Sequence, residues 1–136
     1  MQAGDFGGAQ EEDLARILGA SSLISAEPLR IYIPDTDKEG QEIDAITWAR
    51  RAFYLLGGAN GLADGATLLP AADGLWKGRP ERTIIAYAYL PFERLLENAA
   101  KLQAFIQVFG RETRLDAVMI EYRQTAYFFT NFDTAG

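Results

Sequence analysis

Four acids stand where predicted β-strands begin or end: Asp35, Asp37, Glu81 and Asp116. In a sheet whose first strand runs antiparallel to its third and fourth, the end of strand one lies beside the starts of the other two. Those carboxylates then gather at one end of the sheet, with Thr67 and Trp76 of the adjoining strand and turn near the same end. Oxygen ligands so gathered suit a hard divalent cation such as Mg²⁺, Mn²⁺ or Ca²⁺. A close pair could instead divide general-acid and general-base roles. Glu81, Asp116 and Asp35 are the catalytic candidates, and the sequence assigns no metal. The plainer alternative is that these acids are solvated, or pair with neighbours such as Arg82 and Arg114.

Aromatic side chains supply a second kind of chemistry. Trp76, beside Lys77 and Arg79, could stack on a ligand ring while the basic groups hold an anion. Equally, a Trp after a turn packs over a sheet edge. Thr67, Trp76, Tyr87 and Tyr89 are the candidate ligand-binding residues. Tyr32, Tyr87, Tyr89 and Tyr122 together resemble the stacking platforms of RNA-binding sheets. Such platforms need basic surroundings and a K/R-G-F/Y-G/A-F-V-x-F/Y signature, which is missing here.

Composition removes several classes. The 136 residues contain no Cys and no His, which excludes disulfides, Cys/His zinc sites, thiol nucleophiles and histidine triads. A net charge of −6 argues against general binding to nucleic acid or anionic membranes. Gly57, Gly58 and Gly61 follow a helix, whereas a phosphate-binding loop precedes one. No cofactor is called for. The N-terminus has neither the basic start nor the apolar run of a signal peptide, so a cytoplasmic location is expected.

The elements that position these residues follow from periodicity. Leu29, Ile31 and Ile33 alternate with Arg30 and Tyr32, which predicts a strand over 28–34. Ile43, Ile46, Ala49, Phe53 and Leu56 predict a helix over 41–56, stopped by Gly57 and Gly58. Residues 65–70 read as a short strand, Asp73-Gly74 as a tight turn, and 82–90 as a central strand. Gly65 and Gly74 read as glycines that permit tight turns. A broad apolar stripe from Phe92 to Phe109 predicts one long helix ended by Gly110. Strands over 115–122 and 126–130 follow, joined by a turn near Arg123-Gln124. A short helix is expected over 11–18.

This order is the split βαβ arrangement of ferredoxin-like folds: an α+β domain with a mixed or antiparallel sheet and two long helices on one face. The expected organisation is a flexible leader with a short helix over 1–27, one domain over 28–131, and a frayed tail over 132–136. The uncovered face would carry Tyr32, Tyr87 or its neighbours, and Tyr122. A second copy of the chain is the simplest cover, so a homodimer is expected.

Gly65-x-Thr67-x-x-Pro70, Gly74-x-Trp76, Glu81 opening a strand, and Asp116-Ala117-Val118 also resemble a pattern in small uncharacterised bacterial α+β proteins. The pattern more often has Glu where Asp116 stands. The resemblance covers about residues 28–130 and implies an α+β fold with no established activity. Two functions follow as expectations. The first, leaning away from an enzyme, is a homodimeric module that binds a protein partner or small molecule. The alternative is a small enzyme using the carboxylates at the end of the sheet, with a divalent metal or as an acid–base pair.

Overall fold

Strict alternation makes the first strand the spine of the sheet. Leu29, Ile31 and Ile33 are almost wholly buried on one face, which leaves Arg30 and Tyr32 on the other. In a computed structural model, which describes residues 3–23 and 26–132, the elements follow the expected order. They are α1 (Ala3–Leu18), β1 (Glu27–Pro34), α2 (Ala45–Gly57), β2 (Thr67–Trp76), β3 (Arg79–Leu90), α3 (Phe92–Glu97), α4 (Ala99–Thr113), β4 (Val118–Tyr122) and β5 (Thr125–Phe129). All four pairings are antiparallel in the order β2-β3-β1-β4-β5, with α2 and α4 packed on one face. The fold is α+β with a ferredoxin-like arrangement.

Several local expectations change. α1 extends back through the glycine-rich segment expected to be a leader, since glycine disfavours a helix without forbidding one. α2 starts later than expected because Asp44 caps it: its carboxylate accepts from the Thr47 N–H and hydroxyl. Its buried stripe is Ala45, Trp48, Ala49, Ala52 and Leu56, so Ile46 faces out. The long helix breaks at Asn98 into α3 and α4 and runs past Gly110 to Thr113. Gly110 is not a cap. A Cβ there would run into the ring of Phe132, so this glycine lets the C-terminal segment lie against α4. Residues 133–136 of the expected tail lie outside the described residues.

The largest change is in β2. Asp73-Gly74 is no turn: the strand continues to Trp76, and the turn is Lys77-Gly78, both at positive φ. A register shift between Leu69 and Ala72 marks a bulge around Pro70, which has no N–H to give the ladder. Bulges add twist, and this one separates an inner half of β2 from an outer half that coils over the sheet. The expected turn at Arg123-Gln124 does form, with both residues at positive φ.

Tyr122 also moves. It faces the helices, not the open face, and its buried hydroxyl donates to the Leu90 carbonyl at 3.0 Å. Tyr122→Phe should therefore lower the unfolding free energy by about 1–2 kcal/mol, read from the urea midpoint. An unchanged midpoint would mean that this bond ties nothing together.

Candidate active site

The open face is where the chemistry gathers. β1 places Tyr32 and Pro34 on it, β3 places Glu81 and Thr83, and β4 and β5 place Met119 and Phe128. Trp76 ends β2 on one edge of the sheet, and Phe128 lies in β5 on the opposite edge. Their ring centroids are nevertheless only 5.8 Å apart at 30°. The coiled β2–β3 hairpin crosses the open face to make this contact. Beneath it lies a cavity of about 350 Å³, lined among others by Tyr32, Lys38, Trp76, Glu81, Asp116 and Phe128. That volume is at the small end of ordinary ligand sites.

The acids meet different fates in this end of the sheet. Asp37 shapes its own loop: one carboxylate oxygen accepts the N–H groups of Glu39 and Gln41 at 2.8 and 2.9 Å. Those bonds, with Gln41's the larger effect, hold its pKa below the usual carboxylate range. Asp35 accepts the Arg82 N–H at 3.2 Å. Asp116 takes the indole N–H of Trp76 at 2.9 Å and the Lys77 ammonium at 2.8 Å, both on Oδ2. The Lys77 bond first, then the Trp76 bond, lowers its pKa.

Glu81 is the exception. Among the described residues, no hydrogen bond or ion pair reaches its carboxylate, although it is half-buried against the cavity. Burial, and next the charge of Asp35, push its pKa up. Gly74 is its cross-strand partner, and a Cβ there would sit 3.7 Å from the Glu81 Cγ. That is an ordinary contact distance, so Gly74 is a strand residue beside Glu81 and not the tight turn its sequence context suggests.

Tyr32 has a role that sequence reading reduced to one ring among several. Its hydroxyl donates to Glu121 at 2.9 Å, and Arg30 donates to the same carboxylate oxygen at 3.1 Å. Burial, then the Glu121 bond, raises the Tyr32 pKa. The cross-strand pairing of Arg30 with Glu121 was readable only once the β1–β4 register was known.

Of the expected ligand-binding residues, only Trp76 lines this cavity. Thr67, Tyr87 and Tyr89 line a shallower one with Arg94. Thr67 starts β2 and Trp76 ends it, so the expectation that they share one end of the sheet is corrected. The metal expectation also meets a different arrangement. Among the described residues no group of three or more acids is placed to hold an ion. The acids of this end are spread over backbone and side-chain partners instead. No described helix is long and apolar enough to cross a membrane.

A ferredoxin-like sheet with a roofed cavity on its open face defines the class of this fold. No protein-family model and no curated protein matches the chain. Two solved structures do. A phage SAM lyase in complex with S-methyl-5'-thioadenosine is similar with a TM-score of 0.56 at 15% identity, over 81% of this chain and 97% of that one. A phage SAM lyase in its apo state is similar with a TM-score of 0.53 at 18% identity, over 82% and 94%. At these identities the likeness shows a shared fold.

Two expectations are corrected by it. The fold matches that of a named enzyme, where the sequence pattern pointed to uncharacterised proteins of no established activity. The lean away from an enzyme is overturned by the same finding. The physical reason lies in the hairpin. Tyr32, Trp76 and Phe128, which read as exposed rings when the sheet is imagined flat, are cavity lining once β2 curls over it.

Proposed function

We propose that this chain is a lyase of S-adenosylmethionine (SAM) or a close sulfonium analogue, acting in the cavity between Glu81 and Trp76. The observation that carries the reading is Glu81: a half-buried carboxylate beside an aromatic-lined cavity, which feels the charge of Arg79 but forms no hydrogen bond or ion pair among the described residues. A ligand that carries both a cation and an aromatic base supplies what the site lacks. SAM brings a sulfonium, an ammonium and an adenine, and the fold is shared with a phage SAM lyase that binds S-methyl-5'-thioadenosine.

The roles follow from charge. Glu81 pairs with substrate positive charge in a site where partial burial strengthens the attraction. Lys38 and Arg79 line the same cavity and meet the substrate carboxylate. In the reaction one carbon–sulfur bond breaks and both of its electrons go to sulfur. The sulfonium leaves as the neutral thioether S-methyl-5'-thioadenosine. A lyase adds no water: the bond from sulfur to the γ-carbon of the amino-acid chain breaks, and a carboxylate oxygen of that same chain bonds to this carbon, closing a five-membered lactone with no proton left over. The neutral thioether no longer attracts Glu81, which favours its release.

Incubating the purified protein with SAM and following the products by mass spectrometry tests this. S-methyl-5'-thioadenosine should accumulate in step with SAM loss, above the slow spontaneous rate. Loss of SAM at only the spontaneous rate would remove the proposal.

A further inference from the structure

We infer that Trp76 and Phe128 together form the wall on which the ligand's purine ring stacks, and that Asp116 is the positioning residue that holds Trp76 in that wall. This rests on the nucleoside reading above and adds to it the residues that select the base.

The two tryptophans of the chain show why Trp76 needs an explanation. Trp48 is buried among Phe105 and Phe109, with ring centroids 6.2 and 5.1 Å away, as a core indole should be. Trp76 is not in the core. It sits at the tip of a hairpin, part-exposed, with Phe128 as its ring neighbour and a cavity before it. Its ring neighbour and its hydrogen-bond partner both line the cavity, not the core.

Its position is fixed from several sides. Asp116 accepts the indole N–H, and the same oxygen accepts the ammonium of Lys77, the next residue in the turn. Arg79, on the other arm of the hairpin, donates to the Lys38 carbonyl at 2.9 Å. Lys38 in turn donates its N–H to the Arg114 carbonyl at 3.2 Å, just ahead of Asp116. The hairpin tip is thereby tied to the loop after β1 and to the end of α4. Asp116 is thus a hydrogen-bond anchor whose carboxylate is already engaged, unlike Glu81. A purine offers a flat π face to such a wall, and stacking of a base on an aromatic side chain is worth about 1–3 kcal/mol, or roughly 5- to 150-fold in affinity.

The test is a fluorescence titration with S-methyl-5'-thioadenosine and, separately, adenosine, on wild type, Trp76→Phe and Asp116→Ala. Wild-type emission should fall as the purine covers Trp76, and Trp76→Phe should lose that change because only Trp48 still emits. Asp116→Ala should keep the Trp76 emission but shift it to the red and weaken nucleoside binding by about tenfold. In turnover, Asp116→Ala should raise KM more than it lowers kcat. A merely structural Asp116 would lower the melting temperature without moving the Trp76 spectrum. Affinity for each nucleoside unchanged across the three proteins, read by calorimetry because Trp76→Phe has lost the optical signal, would overturn the wall. Because binding is read without turnover, loss of the lyase reading is separately visible: adenosine would still quench Trp76 while SAM stays intact.

Discussion

Glu81→Gln should reduce kcat/KM for SAM by about 100-fold or more while leaving the melting temperature unchanged or raised. The substitution keeps the shape and removes the charge, and losing one partner of a partly desolvated charge pair costs several kcal/mol of binding or transition-state stabilisation. The stability half follows from linkage. The Glu81 pKa in the folded chain is raised, by burial first and by Asp35 second. The folded state then binds this proton more readily than the unfolded state does. Ionised Glu81 therefore opposes folding at neutral pH, and that opposition disappears as pH falls through the folded pKa. The same shift places the acid limb of kcat/KM above the usual carboxylate range, provided ionised Glu81 binds the substrate. Full activity in Glu81→Gln, or a collapse of its melting temperature, would show that Glu81 is a structural residue.

Phe109→Ala should cost about 3–5 kcal/mol of stability, a large part of the roughly 5–15 kcal/mol that holds a domain of this size. Phe109 is fully buried, and its ring packs against those of Trp48 at 5.1 Å and Phe105 at 5.5 Å. This aromatic group joins α2 to α4 behind the sheet whose other face carries the cavity. The urea midpoint should drop accordingly, and SAM cleavage should vanish with the fold and not before it. A loss under about 1 kcal/mol would mean that the site collapses around the missing ring.

The legible part of this protein is the part that repeats. Leu29, Ile31 and Ile33 announced β1, and the stripe from Phe92 to Phe109 announced helix, because burial on one face imposes a period on the chain. The topology followed from the order of those elements. What escaped was local geometry that only tertiary contact decides. Pro70 and Asp73-Gly74 carry strand-breaking signals, yet β2 runs through them by taking a bulge at its edge. Gly110 reads as a helix stop, and only the ring of Phe132 explains it.

The site was legible by residue type and not by arrangement. Glu81, Asp116, Asp35 and Trp76 were named from the positions of acids and rings around the strands. Which acid is free could not be read, since Asp116 is engaged by Trp76 and Lys77 from across the chain, while Asp37 is held by the N–H groups of its own loop. A strand ending at Pro70 would put Thr67 near Trp76, whereas β2 runs on to Trp76 and sets the two at its opposite ends. The curl that brings Trp76 to Phe128 across a five-stranded sheet has no local sequence signal beyond the bulge-forming Pro70.

The central claim is that a thioadenosyl group occupies the cavity between Glu81 and the Trp76–Phe128 wall. A crystal structure of the protein with S-methyl-5'-thioadenosine tests it most directly. The account requires density for the nucleoside in that cavity, its purine against Trp76 and its sulfur end toward Glu81. Nucleoside bound instead beside Tyr87 and Tyr89, or no nucleoside in crystals grown at saturating concentration, would contradict it.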